Sequence, residues 1–172
     1  MSRHTLYMFM FLITITSVKS LKAQCGIYSE DFINTTKCKS FTSFESKIKT
    51  LGYSYFDEFS EVGVTLTYQC DIANEDSSRD MLNFSIGKDE YGDFTEVIFA
   101  TNRYYTYDAL SNGLFANAFR KDSVSTAEAG LTQTFYYSQL YPGFIMVTQI
   151  FNTPTADLNM QYYINLKYYW TL

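Results

Sequence analysis

Histidine is almost absent from this chain of 172 residues, which has one histidine, two prolines and one tryptophan. The single histidine, His4, lies in a segment that we expect to be removed as a leader. The mature chain then lacks the base of Ser-His-Asp and Cys-His catalysis, and it lacks imidazole ligands for a metal. We therefore predict a non-catalytic protein with no metal site and no cofactor.

Positive charge is also in short supply, with 13 lysines and arginines against 18 aspartates and glutamates. The net charge is −5. Loss of residues 1–23 would remove three basic residues and no acid, which takes the charge to −8. Such a composition does not predict the positively charged surface that nucleic-acid binding requires. Its acidic surface also disfavours anionic membranes.

Long apolar runs are missing except near the N-terminus. The run Met8–Val18 follows Arg3 and is too short to cross a bilayer comfortably. This pattern is typical of a secretory signal peptide with cleavage after Ser20 or Ala23. We predict a signal peptide over residues 1–23, one domain over residues 24–172, an extracellular location and no membrane span.

Three cysteines and two sequons fit this secretory route. An oxidising compartment favours a disulfide, so two of Cys25, Cys38 and Cys70 are expected to pair, and all three pairings remain open. The odd cysteine is then a candidate for a disulfide-linked partner chain. The sequons make Asn34 and Asn83 candidate glycosylation sites.

One segment has helical periodicity, near residues 41–50, where four apolar residues form one stripe: Phe41, Phe44, Ile48 and Leu51. Thr42 and Glu45 have capping-box spacing, and Gly52 is a candidate stop. Residues 25–40 are polar and are predicted to form an irregular arm.

After Gly52 the period changes to two, which predicts about nine strands. The pattern favours an all-β fold, an antiparallel β-barrel of eight to nine strands with a short N-terminal helix. A β-sandwich is the alternative, because both architectures share this period. No internal repeat is visible in the sequence. The predicted strand segments include 64–70, 82–86, 94–100, 103–107, 114–119, 131–138, 144–151 and 160–172.

Acidic residues form no recognisable catalytic or metal motif. Asp89–Asp93 lacks the alternating oxygen ligands of an EF-hand loop and is predicted to be a solvated hairpin turn. Asp57, Glu58 and Glu61 show no spacing that singles out a glycosidase carboxylate pair.

The aromatic content is high, with 16 tyrosines and 15 phenylalanines. Three explanations remain open: ordinary strand propensity, an aromatic-lined barrel lumen, and exposed tyrosine rows for recognition. If the alternation directs one face inward, the candidate ligand-binding residues are Tyr68, Phe84, Tyr162, Ile164, Tyr168 and Trp170.

The stretch Gly52-Tyr53-Ser54-Tyr55 resembles the first strand of a lipocalin, where Gly-x-Trp is usual. Ser54 stands at the tryptophan position, so the motif is not intact. Cys70 follows Gly52 by 18 residues, a spacing similar to that of some lipocalins. The resemblance implies a secreted eight-stranded barrel that carries small hydrophobic molecules.

These observations predict a secreted, non-catalytic protein that carries a small hydrophobic ligand in an aromatic-lined β-barrel. The alternative is a secreted β-sandwich that recognises a protein or a glycan through exposed tyrosines.

Overall fold

The computed structural model describes residues 26–59, 64–71, 79–125, 130–153, 155 and 159–170. The predicted signal peptide and Cys25 lie outside these residues. The described chain forms one eight-stranded sheet with three helices. The elements are α1 (Ser29–Thr36), α2 (Phe41–Thr50), β1 (Ser54–Phe59), β2 (Thr65–Asp71), β3 (Arg79–Asp89), β4 (Gly92–Thr101), α3 (Tyr104–Ala116), β5 (Phe119–Ser125), β6 (Leu131–Ser138), β7 (Phe144–Phe151) and β8 (Tyr162–Tyr169).

The strand order is β1-β2-β3-β4-β8-β7-β6-β5, and all neighbouring strands are antiparallel. The prediction of a mainly antiparallel β protein with about eight strands is therefore confirmed. The sheet is not closed into a barrel, and β1 and β5 are its edges. Each half of the order is a four-stranded meander preceded by helix, so the topology repeats although the sequence shows no repeat.

The helices pack on one face of the sheet, which we call the covered face. The ring of Phe44 on α2 stacks on Phe84 of β3 with centroids 4.1 Å apart. Ile164 and Leu166 of β8 are fully buried in the same cluster. Since residues two apart on a strand share a face, the alternation predicted for these strands positions this core.

Helix α2 occupies the predicted residues, but its cap differs from the prediction. Ser40, rather than Thr42, is the N-cap, and its hydroxyl accepts a hydrogen bond from the Ser43 amide at 3.2 Å. At the other end Gly52 has a φ of +89°, and the Tyr53 amide donates to the Ile48 carbonyl. This is a Schellman ending, so the predicted glycine stop is confirmed.

Three segments differ from the predictions. Residues 25–40 were expected to be irregular, but residues 29–36 form α1. Residues 103–107 and 114–119 were expected to be strands, but α3 covers residues 104–107 and 114–116 of these segments, and β5 begins only at Phe119. Tyrosines favour strands when considered alone, whereas here Tyr107, Leu110 and Leu114 recur at helical spacing and are buried. Tertiary packing on the sheet therefore overrides the local preference.

The predicted hairpin turn at Asp89–Asp93 is confirmed. Strand β3 ends at Asp89 and β4 begins at Gly92, which makes a tight hairpin between them. The chain turns again before β7, where the Phe144 amide donates to the Tyr141 carbonyl at 3.2 Å. Gly143 has a φ of +85°, a conformation that glycine adopts without a steric penalty.

Candidate functional site

The six candidate ligand-binding residues lie on or beside the covered face. Tyr68, Phe84 and Ile164 are buried in the core beneath the helices. Tyr162 and Tyr168 are half-buried and pack against the same cluster. Trp170 donates from its indole nitrogen to the Thr95 hydroxyl at 3.3 Å. None of the six lines the cavities described below, so the structure gathers most of them into a packed core.

The opposite side of the sheet, which we call the open face, carries the residues that alternate with the core. Its central strands present polar side chains, and the Asn165 amide nitrogen donates to Glu96 at 2.8 Å. Aromatic and aliphatic side chains lie on both sides of this polar centre. They include Phe94 and Tyr169 where β4 meets β8, and Phe135, Tyr137 and Ile145 on β6 and β7.

A lysine occupies the aromatic cluster where β4 meets β8. The Lys167 ammonium lies 3.7 Å from the centroid of the Phe94 ring and donates to Asp89 at 2.6 Å. The Tyr169 hydroxyl donates to the same carboxylate at 2.8 Å. Phe94 is also the cross-strand partner of Gly87, where an added Cβ would lie 2.6 Å from the ring. We call this arrangement the lysine site.

The interactions within the lysine site keep Asp89 ionised and Tyr169 protonated. The hydrogen bond from Lys167 lowers the pKa of Asp89 from its ordinary value of 3.8 to about 2. Burial raises the pKa of the Tyr169 hydroxyl, which therefore stays protonated and can donate to the carboxylate. The site thus holds one cation between a carboxylate and aromatic rings.

A cavity of about 430 Å³ lies in the second half of the open face, and we call it the aromatic pocket. Phe135, Tyr137 and Ile145 come from two adjacent strands, and the ring of Tyr136 also packs against Phe115 on the covered side. A carboxylate and a hydroxyl complete the lining. The lining residues are Asp122, Ser123, Phe135, Tyr136, Tyr137 and Ile145.

A β-bulge places Asp122 at this pocket. The register between β5 and β6 pairs Lys121 with Tyr136 and Ser123 with Phe135, which leaves Asp122 as an extra residue. A bulge of this kind redirects side chains and is common beside functional sites. Asp122 is exposed, and its carboxylate accepts a hydrogen bond from the Ser123 hydroxyl at 3.2 Å.

Two cations near the aromatic pocket are engaged elsewhere. Arg120 pairs with Tyr137 in the register, but its guanidinium donates to the carbonyls of Phe115 and Phe119. Lys167 pairs with Ile145 across β7 and β8, but its ammonium is held by Asp89. Within the described ranges, no lysine or arginine lies over the rings of this pocket.

A second cavity, of about 250 Å³, lies between the segment before α1 and helix α3. Arg103 lines it, and the guanidinium donates to the buried Asp80 carboxylate at 2.6 Å. Burial raises the pKa of Tyr53 well above its usual value, and the Asp80 carboxylate adds to this effect. Since Asp80 already compensates Arg103, this cavity offers an incoming anion little net charge.

A third cavity, of about 180 Å³, lies between the β1 edge and the lysine site. Phe59 and Phe94 line its two sides, and Gly87 forms part of its lining. Its volume is below the range that small-molecule sites usually occupy, about 300 to 1,000 Å³.

Strand β1 is an exposed edge of the sheet, with a register irregularity between Tyr55 and Asp57. All six of its residues are exposed, including the aromatic residues Tyr55, Phe56 and Phe59. Its two charged residues, Asp57 and Glu58, are both acidic. The other edge, β5, carries charges of both signs near its start, a feature that discourages strand addition.

The cysteine and glycosylation candidates are dispersed. Cys38 is a free thiol buried in the core, where another chain has no access to it. Cys70 is buried and disulfide-bonded. Asn34 is exposed on α1, and Asn83 is half-buried on the open face of β3.

The described residues contain no group of acidic, cysteine and histidine side chains that could hold a metal ion. In the same part of the chain, no helix is both long enough and apolar enough to cross a membrane.

The sequence analysis did not select the residues of the aromatic pocket. A usable signal exists for Phe135 and Tyr137, which alternate in a predicted strand and are therefore on one face. The bulge at Asp122 has no comparable signal, because it depends on how β5 pairs with β6.

Comparisons of the chain with protein-family models, with curated proteins and with solved structures found no match.

Proposed function

We propose that this protein is a secreted, non-catalytic binding protein that holds a small apolar ligand in the aromatic pocket of the open face. The observation that carries the proposal is the pocket itself, with its volume of about 430 Å³ and the open-face residues Phe135, Tyr137 and Ile145 in its lining. Volume and lining are both typical of small-molecule sites. The secretory leader pattern of residues 1–23 supports the extracellular location.

This proposal moves the ligand from the expected barrel lumen to the open face. Tyr68, Phe84 and Ile164 pack against other core residues, so a ligand there would have to displace the helices. Tyr137 and Ile145 are instead 46% and 41% exposed, so a ligand can reach them without unfolding the core. Covering this apolar surface stabilises the complex.

The test is a titration of the mature protein with N-phenyl-1-naphthylamine, a neutral apolar dye whose fluorescence rises in apolar surroundings. We expect saturable binding that Tyr137→Ala weakens about tenfold, because the substitution removes one wall of the pocket. Tyr91→Ala is the matched control, since Tyr91 is an exposed tyrosine in the β3–β4 turn. Absence of saturable binding, or equal weakening in both variants, would contradict the proposal.

A second candidate is recognition of a partner protein at β1, favoured by the complete exposure of this edge strand. An extended segment could add to the sheet here through backbone hydrogen bonds. Asp57 and Glu58 favour a segment that carries lysine or arginine, and Tyr55 and Phe59 supply exposed aromatic surface. The occupant we propose is therefore a basic, partly apolar strand.

This candidate is tested with a fluorescent peptide that alternates valine with lysine, and with a glutamate-containing version of it. The double variant Asp57→Lys with Glu58→Lys should lose affinity for the lysine peptide. A control variant with the charges of Arg120 and Lys121 reversed at the other edge should keep its affinity for the lysine peptide. Equal binding of the two peptides would argue against recognition at β1.

A further inference from the structure

The aromatic pocket has a chemical feature that an apolar ligand alone does not use. Its lining includes the Asp122 carboxylate beside Phe135 and Tyr137. Aromatic rings attract cations through their quadrupole, and a carboxylate attracts them through its charge. A ligand that carried only apolar groups would make no use of the negative charge of this carboxylate.

We propose that the aromatic pocket binds a small organic cation, an alkylammonium group with an apolar body, whose charge lies between Asp122 and the aromatic rings. This inference rests on the proposed function and names the chemical class of its ligand. The apolar body occupies the space next to Ile145. The ammonium group supplies the positive charge that the lining residues lack.

The lysine site shows the same chemistry in an occupied form. There the Lys167 ammonium lies between the Asp89 carboxylate and the Phe94 ring, at 2.6 Å from the carboxylate oxygen and 3.7 Å from the ring centroid. Each site combines one carboxylate with aromatic side chains on the open face. The difference is that a cation of the chain itself fills one of them.

The surroundings leave the pocket available for a cation from outside. Arg120 is the cross-strand neighbour of Tyr137, but backbone carbonyls hold its guanidinium. Lys121 does not line the pocket. The net charge of the chain, −5 over all residues, adds a general attraction for cations.

The experiment compares choline with 3,3-dimethylbutan-1-ol, which has the same shape with carbon in place of the charged nitrogen. Binding of both to the mature protein is measured by titration calorimetry at low ionic strength. We expect choline to bind about tenfold more tightly than the alcohol. Added salt should narrow this ratio, because Asp122 is exposed and its field is screened.

The variant Asp122→Asn keeps the shape of the side chain and removes its charge. It should weaken choline about tenfold and leave the alcohol unchanged. Glu30→Gln, which neutralises an exposed carboxylate on α1, is the control and should change neither affinity. Thermal unfolding should confirm that both variants are folded, as expected for exposed positions.

Three results would overturn the inference: no binding of choline, equal binding of choline and the alcohol, or unchanged choline affinity in Asp122→Asn. The second result, combined with loss of both ligands in Tyr137→Ala, would leave the proposed apolar site standing. Failure of the dye titration as well would remove the proposed function itself.

Discussion

The lysine site and the aromatic pocket lie on the same open face, the first where β4 meets β8 and the second towards the β5 edge. In the lysine site, Phe94 and Asp89 enclose the ammonium of Lys167. In the aromatic pocket, Tyr137 and Asp122 border a cavity of about 430 Å³. The two sites share a chemistry and differ in whether the chain supplies its own cation.

The reason for the difference is the pairing at the centre of the sheet. Strand β8 lies beside β4, so Lys167 is opposite Glu96 and close to the β3–β4 hairpin, where Asp89 is located. A lysine held in this way stabilises the fold. A pocket whose lining contains no cation can instead select a ligand, so the two sites contrast a structural use of these groups with the proposed binding use.

The largest expected effect is a difference in unfolding free energy between alanine substitutions at the two sites. Phe94→Ala should lower the free energy of unfolding by about 2 kcal/mol, because the half-buried ring covers Gly87 and contacts Lys167. Tyr137→Ala should cost less than about 1 kcal/mol, because its ring is nearly half exposed. Urea unfolding at pH 7 measures both. Equal losses would show that the pocket is as structural as the lysine site.

The second prediction concerns pH. The folded-state pKa of Asp89, about 2, lies below its ordinary value of 3.8, so the unfolded chain takes up this proton first as pH falls. The stabilisation is therefore complete above about pH 4 and is lost between about pH 4 and pH 2. Lys167→Met removes the main cause of this pKa shift. The wild-type protein should therefore have the larger unfolding free energy at pH 7, and its difference from the variant should narrow below pH 4.

The control for this measurement is Lys49→Met, which removes an exposed ion pair with Glu45 on α2. Exposed pairs of this kind contribute little. Its unfolding free energy should follow that of wild type across the whole pH range. If the difference in unfolding free energy between wild type and Lys167→Met stayed constant down to pH 2, the lowered pKa of Asp89 would not depend on the lysine.

The smallest expected effect comes from removing the lysine of the lysine site, which opens that site to an added cation. Lys167→Ala removes the internal cation and leaves Asp89, Phe94 and Tyr169 in place. We expect a second, weaker site for choline, visible in calorimetry as a higher stoichiometry than in wild type. If the stoichiometry did not change, aromatic rings with a carboxylate would be insufficient for cation binding in this sheet.

Sequence reasoning worked where local periodicity decides the structure. The apolar stripe that includes Phe44 and Ile48 predicted α2, and the alternation over Phe144–Phe151 predicted β7 with the bounds that the structure has. It did not predict α3, because its tyrosines favour strands and Asn112-Gly113 is typical of a turn. In the fold Gly113 is helical and lies against Ser29, where a Cβ would be only 2.9 Å from the hydroxyl oxygen.

The candidate site shows the same division. Phe135 and Tyr137 could be placed on one face from the sequence, because strand side chains alternate. The ion pair of Lys167 with Asp89 could not be predicted from the sequence, because 78 residues separate the two along the chain. The bulge at Asp122 could not be predicted either, since the extra residue is defined only by its pairing with β6.

The sequence by itself determined the periods: helical over Phe41–Thr50 and twofold along most strands, which set the residues that share a face. Only the tertiary structure decided that β4 pairs with β8, that the helices cover one face, and that one aromatic cluster contains a lysine while the other does not. The physical reason is that local pattern follows backbone geometry, which spans a few residues. The pairing of distant strands depends on burying apolar surface across the whole sheet.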